Sequence, residues 1–429
     1  MGVIVAGHTL EDRKLARRAV IAATTGNALE FYDFITFSFF AIQIGKVFFP
    51  SEDPFVSLMA SLATFGVGFI GRPLGAWAIG AWADRHGRKP AMLLSMTLMG
   101  LSVAVLALTP SYASIGAAAP VIVVLARLMQ GFALGGEVGS ATTYMLETAQ
   151  DHRRGWSISW QGASQAIASS AGSLVGLGLS LALTPEQLTD WGWRVALLLG
   201  TVIVPFSLWI RRSLPETIHA PDHLPAGHVP AGVWRTVILG AMMISGATIA
   251  TYLFNYMATY GQNTLGYSAS VSLGSTLAVN VSRFFSILLG GWMSDRMGRR
   301  PLMIWPTLAF TLAIVPAYVT LTAAHDPVMF IAVNGLLAFV STLPSGAIYA
   351  AIAESLPKAS RARTFALVYA LPVTFLGGST QLVITWLLKV TGDPMAVAWY
   401  MAGSACVALL AMVLIHESAP ARLRPAAAQ

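Results

Sequence analysis

The sequence predicts an all-α membrane protein of twelve transmembrane helices arranged as two six-helix, pseudo-symmetric bundles. Three observations predict it. Of the 429 residues, 55% are hydrophobic and only 10% charged, too few charges for a soluble domain to cover its own surface. Apolar segments of about 20 residues, the length that crosses a bilayer, recur along the whole chain. Finally, one ten-residue pattern occurs twice, as Gly80-Ala-Trp-Ala-Asp84-Arg85-His-Gly87-Arg88-Lys89 and as Gly291-Trp-Met-Ser-Asp295-Arg296-Met-Gly298-Arg299-Arg300. Each copy ends an apolar run and is followed by proline, and the copies lie 211 residues apart. A double match at equivalent places in two hydrophobic halves marks an internal duplication.

The spans are expected near 16–44, 55–83, 90–110, 116–147, 155–183 and 193–211 in the first half, and near 232–262, 269–295, 301–323, 328–354, 362–388 and 395–416 in the second. This divides the chain into an N-terminal bundle (1–212), a linker (213–231) and a C-terminal bundle (232–429). The linker carries Pro215, Pro221, Pro225 and Pro230, which cannot continue a helix. Its three histidines, His219, His223 and His228, lack a fixed metal-binding spacing and read as solvated. No metal site is expected. A single cysteine, Cys406, leaves no internal disulfide to form.

The net charge of +7 is a topology signal. Of the 26 lysines and arginines, 19 fall in the N-terminus, the loops after even-numbered spans and the C-terminal tail, and the opposite loops are almost bare. The positive-inside rule puts both termini in the cytoplasm and excludes a nucleic-acid partner as the reason for the basic balance. The stretch through Arg18 has no apolar core of the kind a cleaved signal peptide needs. In the repeated loops, glycine permits close helix approach, while Asp84 and Asp295 can cap or pair and Arg85, Arg88, Arg296 and Arg299 stay at the headgroups. These six are candidate gating residues. Glu147 with Arg153 and Arg154, and Glu354 with Arg361 and Arg363, recur at equivalent loops as a second latch.

Gly66-Val-Gly68-Phe-Ile-Gly71 matches a dinucleotide fingerprint by letters, yet it lies inside the second span with no strand before it. Close helix packing is the better reading. No Walker lysine and no nucleophile–histidine–acid arrangement occurs in the spans, so neither an ATP site nor an enzyme is expected.

Polar and ionisable groups inside the membrane are costly and mark solute or proton paths. The first span carries Asn27, Glu30 and Asp33. The fourth carries Arg127, Gln130 and Glu137 on one face at about 100° per residue, either as a fixed ion pair that locks helices or as coupling machinery. Gln161 and Gln165 lie one turn apart in the fifth span, and Tyr252, Asn255, Tyr256 and Tyr260 share a face of the seventh. Asn280 and Arg283 occupy the eighth, and Ser341, Thr342, Ser345 and Tyr349 the tenth. An arginine midway through a span, such as Arg283, wants an anion. Arg72 and Arg194 read instead as able to snorkel toward span ends.

Together, Gly26-Asn27-Ala-Leu-Glu30-Phe-Tyr32-Asp33-Phe34, Arg72-Pro73-Leu-Gly75, Arg127-Leu-Met-Gln130-Gly131-Phe132 with Glu137, Trp160-Gln161 and the two repeated loops resemble the metabolite:proton symporter family of the major facilitator superfamily. The Thr391-Gly392-Asp393 turn before the last span resembles its citrate and tricarballylate carriers. The resemblance implies a major facilitator fold with alternating access, import of a small polycarboxylate with protons, no cofactor, and a monomer in the bacterial inner membrane. It implies substrate contacts from Asn27, Tyr32, Arg127, Gln161, Gln165, Tyr252, Asn255, Tyr256, Arg283, Ser345 and Tyr349, and proton coupling by Glu30, Asp33 or Glu137. Other small solutes, an exporter and a transporter-like sensor remain alternatives, although the fifth span lacks the Gly-Pro kink usual in drug exporters of the superfamily.

Overall fold

A computed structural model describes residues 24, 27–28, 31–86, 88–135, 145–146, 149–201, 233–357 and 361–419. Side chains at 76, 81, 83–86, 88–92, 151, 362 and 363 lie outside that description. Glu30, Glu137 and Glu147, the linker, and the side chains of Asp84, Arg85, Arg88 and Arg363 therefore fall beyond it. The described residues are helical with no strand, and each of the twelve expected spans contains helix. In the first half these are α1 (Phe31–Phe39) with α2 (Ala41–Phe48), α3 (Pro54–His86), α4 (Arg88–Leu108), the short α5 (Tyr112–Ile115), α6 (Ala118–Leu134), α7 (Arg154–Ala182) and α8 (193–201). The second half holds α9 (Val233–Asn263), α10 (Ala269–Met297), α11 (Arg299–Ala324), α12 (Pro327–Thr342), α13 (Ser345–Glu354), α14 (Arg361–Pro372), α15 (Gly378–Thr391) and α16 (Ala396–Leu414).

Local chemistry sets many of these ends. Pro327 opens α12 behind Asp326, whose carboxylate accepts the Val328 N–H, and Ser268 caps α10 by accepting from Val271; such caps satisfy donors that have no partner inside the helix. Gly298, between α10 and α11, has φ +97°, a left-handed conformation that only glycine adopts freely. The second copy of the repeated loop needs its central glycine for this reason.

Among the described residues, three spans depart from a continuous α-helix. The first bends by 72° between α1 and α2, and the Phe40 ring at the bend packs where Gly176 of α7 leaves space. The tenth is interrupted between α12 and α13 at Leu343-Pro344, where proline cannot donate to the preceding turn. The eleventh passes through a π-helical turn, Val373–Gly377, directly after Pro372, a usual way of absorbing a disrupted ladder.

Packing closes the two halves on each other through α7 and α10, the most extensive helix pair among the described residues. They run antiparallel, with Gly155 against Ser294, Gly162 against Ile287 and Gly176 against Leu273. Elsewhere the outer surface is apolar: Trp77, Val328 and Leu181 are each more than 70% exposed. Such a surface is stable only against lipid.

Candidate functional site

Between the halves lies a partly open cavity. Phe31 of α1 and Ser159, Gly162 and Gln165 of α7 line it from the first half. From the second half come Thr248, Thr251 and Tyr252 of α9, Arg283 of α10, Thr342, Ser345, Gly346 and Tyr349 around the α12–α13 break, and Tyr369 of α14. Irregular backbone at membrane depth is tolerated where it borders a cavity, and the break at Pro344 does so. Leu343 can be bent inward because Gly290 lies against it, with room for no side chain: a Cβ there would fall 1.8 Å from the Leu343 carbonyl oxygen.

Arg283 is the cation of this cavity. It is 5% exposed, and its Nη1 donates to Asn280 Oδ1 at 3.1 Å. Asn280 is itself fixed by donating to the Thr276 carbonyl at 2.9 Å. Arg283 Nε has no hydrogen-bond partner, and no carboxylate lies within ion-pair distance of the guanidinium, among the described residues. Facing it are the phenols of Tyr252, Tyr349 and Tyr369, the Gln165 amide and the Ser345 hydroxyl, neutral groups that bind polar solutes without the desolvation cost of full charges.

Of the residues singled out in the sequence, Gln165, Tyr252, Arg283, Ser345 and Tyr349 come together here. The others lie outside the lining. Asn27 ties the first span to α7, donating to the Gln161 carbonyl at 3.0 Å and to Ser164 Oγ at 2.7 Å. The Tyr32 hydroxyl donates to the Ala196 carbonyl at 3.0 Å. Tyr256 accepts from Thr385 Oγ1 at 2.8 Å inside the C-terminal core. Gln161 and Asn255 are each 1% exposed, with Gln161 Oε1 and both Asn255 amide atoms unpartnered among the described residues. The sequence reading did not single out Tyr369, Thr248 or Thr251; the last two share a face with Tyr252, so extending that face one turn would have included them.

Arg127 is fully buried but not in the lining. Its guanidinium lies 4.5 Å from the ring centres of both Phe34 and Phe37 and 5.2 Å from that of Phe65, and it donates to Gln130 Oε1 on its own helix. Arg72 does not snorkel outward. Its guanidinium sits 4.8 Å from the Phe34 ring centre and 4.4 Å from that of Phe69, because Phe65, Phe69 and Arg72 form one stripe of α3 that faces α9. Arg194 also turns inward and caps the end of α4, donating to the Ala107 and Thr109 carbonyls at 2.7 Å each. Asp33 is 2% exposed, and its Oδ1 has no hydrogen-bond partner among the described residues.

The cavity is flanked on both sides by cross-half contacts. Away from the repeated loops, Ser38 and Gln381 exchange hydrogen bonds of 3.0 and 2.6 Å, and Tyr252 packs on Phe65 and Phe69 with ring centres 6.1 and 5.4 Å away. Toward the loops, Asp295 accepts the first free N–H groups of α7, from Gly155 at 2.8 Å and Trp156 at 2.9 Å, where the helix dipole favours an anion. Arg299 pairs with Asp295 at 2.8 Å and with Glu354 at 3.0 Å, and Ser418 Oγ donates to Glu354 at 2.8 Å. Arg296 stays outside this network and stacks on Trp292, 3.8 Å from the ring centre. Beyond the last span, partial burial disfavours charge on Glu417, but N–H donors of Ala419, Arg299, Arg300 and Ser418 outweigh it and hold the carboxyl below its ordinary range.

Comparison with known proteins places this architecture. The family model described as "Sugar (and other) transporter" matches residues 18–219, and that described as "Major Facilitator Superfamily" matches residues 278–429. The chain is 37% identical over 415 residues to the citrate-proton symporter of Klebsiella pneumoniae, covering 95% of this chain and 94% of that one. It is 34% identical over 421 residues to the alpha-ketoglutarate permease of Escherichia coli (strain K12), covering 95% and 96%. Among solved structures, the xylose transporter XylE from E. coli, in a partially occluded inward-open conformation, matches with a TM-score of 0.74 at 16% identity, over 94% of this chain and 98% of that one. A likeness at that identity is one of fold. The duplicated loop, the paired six-helix halves and relatives similar over nearly the whole length agree: the chain belongs to the metabolite:proton symporter family of the major facilitator superfamily, and is a multi-pass membrane transporter of small solutes rather than an enzyme.

Proposed function

We propose that this transporter imports a small polycarboxylate of the citrate or tricarballylate type together with protons, by alternating access in a bacterial inner membrane, as a monomer with both termini cytoplasmic. The observation that carries the reading is Arg283: a buried guanidinium bordering the central cavity with no carboxylate partner among the described residues. A planar guanidinium fork matches a carboxylate in two hydrogen bonds, and the surrounding phenols, amide and hydroxyl complete a site for a polar anion. The similarity to a citrate-proton symporter supports the same solute class. Asp33, and Glu30 and Glu137 beyond the described residues, are the coupling candidates; the positive-inside charge distribution supports the orientation.

The test is uptake of labelled carboxylates into proteoliposomes under imposed proton or sodium gradients, with Arg283→Gln beside the parent protein. The parent is expected to accumulate tricarballylate or citrate on a proton gradient. In the variant, carboxylate binding is expected to weaken by about 2–5 kcal/mol, the scale for truncating one partner of a desolvated charge pair. No uptake of any di- or tricarboxylate by the parent, or unchanged carboxylate affinity in the variant, contradicts the proposal. Accumulation on a sodium gradient alone replaces the coupling ion and leaves the site reading standing.

A further inference from the structure

Tyr252 is the meeting point of the two halves, and the charges around it are all of one sign. From the second half Arg283 borders the same cavity. From the first half, the stripe Phe65, Phe69, Arg72 of α3 comes up against it: the Phe69 ring lies 5.4 Å from the Tyr252 ring, and the Arg72 guanidinium lies 4.4 Å from the Phe69 ring. Arg72 is within electrostatic reach of both Tyr252 and Tyr369, and both of those phenols border the cavity. Arg72 itself stands behind the lining, with its side chain in hydrogen-bonding reach of the Tyr252 phenol; its Nε is buried without a hydrogen-bond partner, and no ion pair reaches the guanidinium, among the described residues. Helix packing alone does not call for a cation here. Gly68, Gly71 and Gly75 already bring α3 onto α6, and Arg72 lies on the adjoining face, over the Phe34 and Phe69 rings and toward Tyr252.

We propose that Arg72 is a specificity-determining residue that binds a second carboxylate of the substrate from the first half, opposite Arg283 of the second, so that the pair selects for the number of carboxylates. The inference rests on the polycarboxylate reading and sharpens it. A substrate bridging two guanidinium groups on different halves also holds the halves together, which a solute with one carboxylate cannot do. A further carboxylate gains a charged partner of its own only when both guanidinium groups are present.

The test compares tricarballylate with butyrate, which is tricarballylate without its central and one terminal carboxyl, in equilibrium binding to the purified full-length transporter in lipid nanodiscs. In Arg72→Gln, tricarballylate affinity is expected to fall roughly 30-fold or more, the low end for losing a partner of a desolvated charge pair, and butyrate affinity clearly less, so the ratio of the two drops. A role confined to packing on Phe34 and Phe69 lowers both equally; an unchanged ratio overturns the inference. Arg72→Lys keeps the charge but not the fork and is expected to lower the ratio in the same direction by a smaller amount, so it carries the test if the glutamine variant fails to fold. Failure of the parent protein to bind tricarballylate contradicts the polycarboxylate reading itself, which is a different result from normal parent binding with an unchanged ratio in the variants.

Discussion

Asp33 sits where Gly200 leaves room for it: a Cβ at position 200 would fall 1.5 Å from the carboxyl Oδ1. A carboxyl in this setting gains or loses a proton without breaking any ion pair among the described residues, which suits a coupling group. Replacing it by its amide removes the titration while keeping the shape. Asp33→Asn is expected to retain counterflow exchange of bound solute and to lose accumulation driven by a proton gradient, and Gly200→Ala, which must push the carboxyl aside, to impair both. Full gradient-driven accumulation by Asp33→Asn in proteoliposomes would assign coupling elsewhere. At this scale the sequence reveals which polar residues lie inside apolar spans, and Arg283, Tyr252, Gln165, Ser345 and Tyr349 were legible for that reason. It does not reveal what stands opposite them. Helical spacing put Arg127 on a polar stripe, yet three rings contributed by α1 and α3 enclose it, and Arg72 turns inward onto Phe69, one turn before it, and Phe34 of α1.

The crossing of α3 and α6 has its cause in the glycines that imitate a dinucleotide fingerprint. A Cβ on Gly131 would lie 1.6 Å from the Gly68 carbonyl oxygen, and one on Gly71 would lie 2.5 Å from that of Leu128. Small residues at such contacts let backbones approach closely, and van der Waals packing then replaces the hydrophobic drive that lipid removes. Gly131→Ala is therefore expected to destabilise the N-terminal bundle by about 1–3 kcal/mol, the usual cost of overpacking, measured by denaturant titration in detergent, whereas Gly178→Ala, which meets nothing within 4 Å, is expected to be neutral. Equal stability of the two variants would contradict this account. Element boundaries show the same division between legible and hidden. The interruptions after Leu343 and Pro372 announce themselves by proline, while the 72° bend at Phe40 has neither proline nor glycine at it.

Across the whole molecule, the duplication is legible in the repeated loop, but how the halves meet is not, because the contacts join residues more than a hundred positions apart. Two sets of contacts bracket the cavity, and alternating access requires that they separate in turn. The Asp295 contact with the start of α7 closes the end bearing the repeated loops, and the Ser38–Gln381 pair closes the other, with both side chains fully buried. A residue at full burial is reached by an aqueous reagent only when its seal opens. In a Cys406→Ser background, Ser38→Cys is expected to react slowly with a small charged maleimide at rest. The reaction should accelerate during turnover with substrate and an imposed gradient, because each cycle exposes the α1 and α15 faces to water. Joining Ser38→Cys to Gln381→Cys with a short thiol cross-linker is then expected to abolish transport while leaving carboxylate binding measurable, since the lock holds the far seal and leaves the Arg283 side of the cavity untouched. A cross-linked protein that still transports at the uncrosslinked rate would mean that this pair rides on one rigid body and that the halves part along another seam.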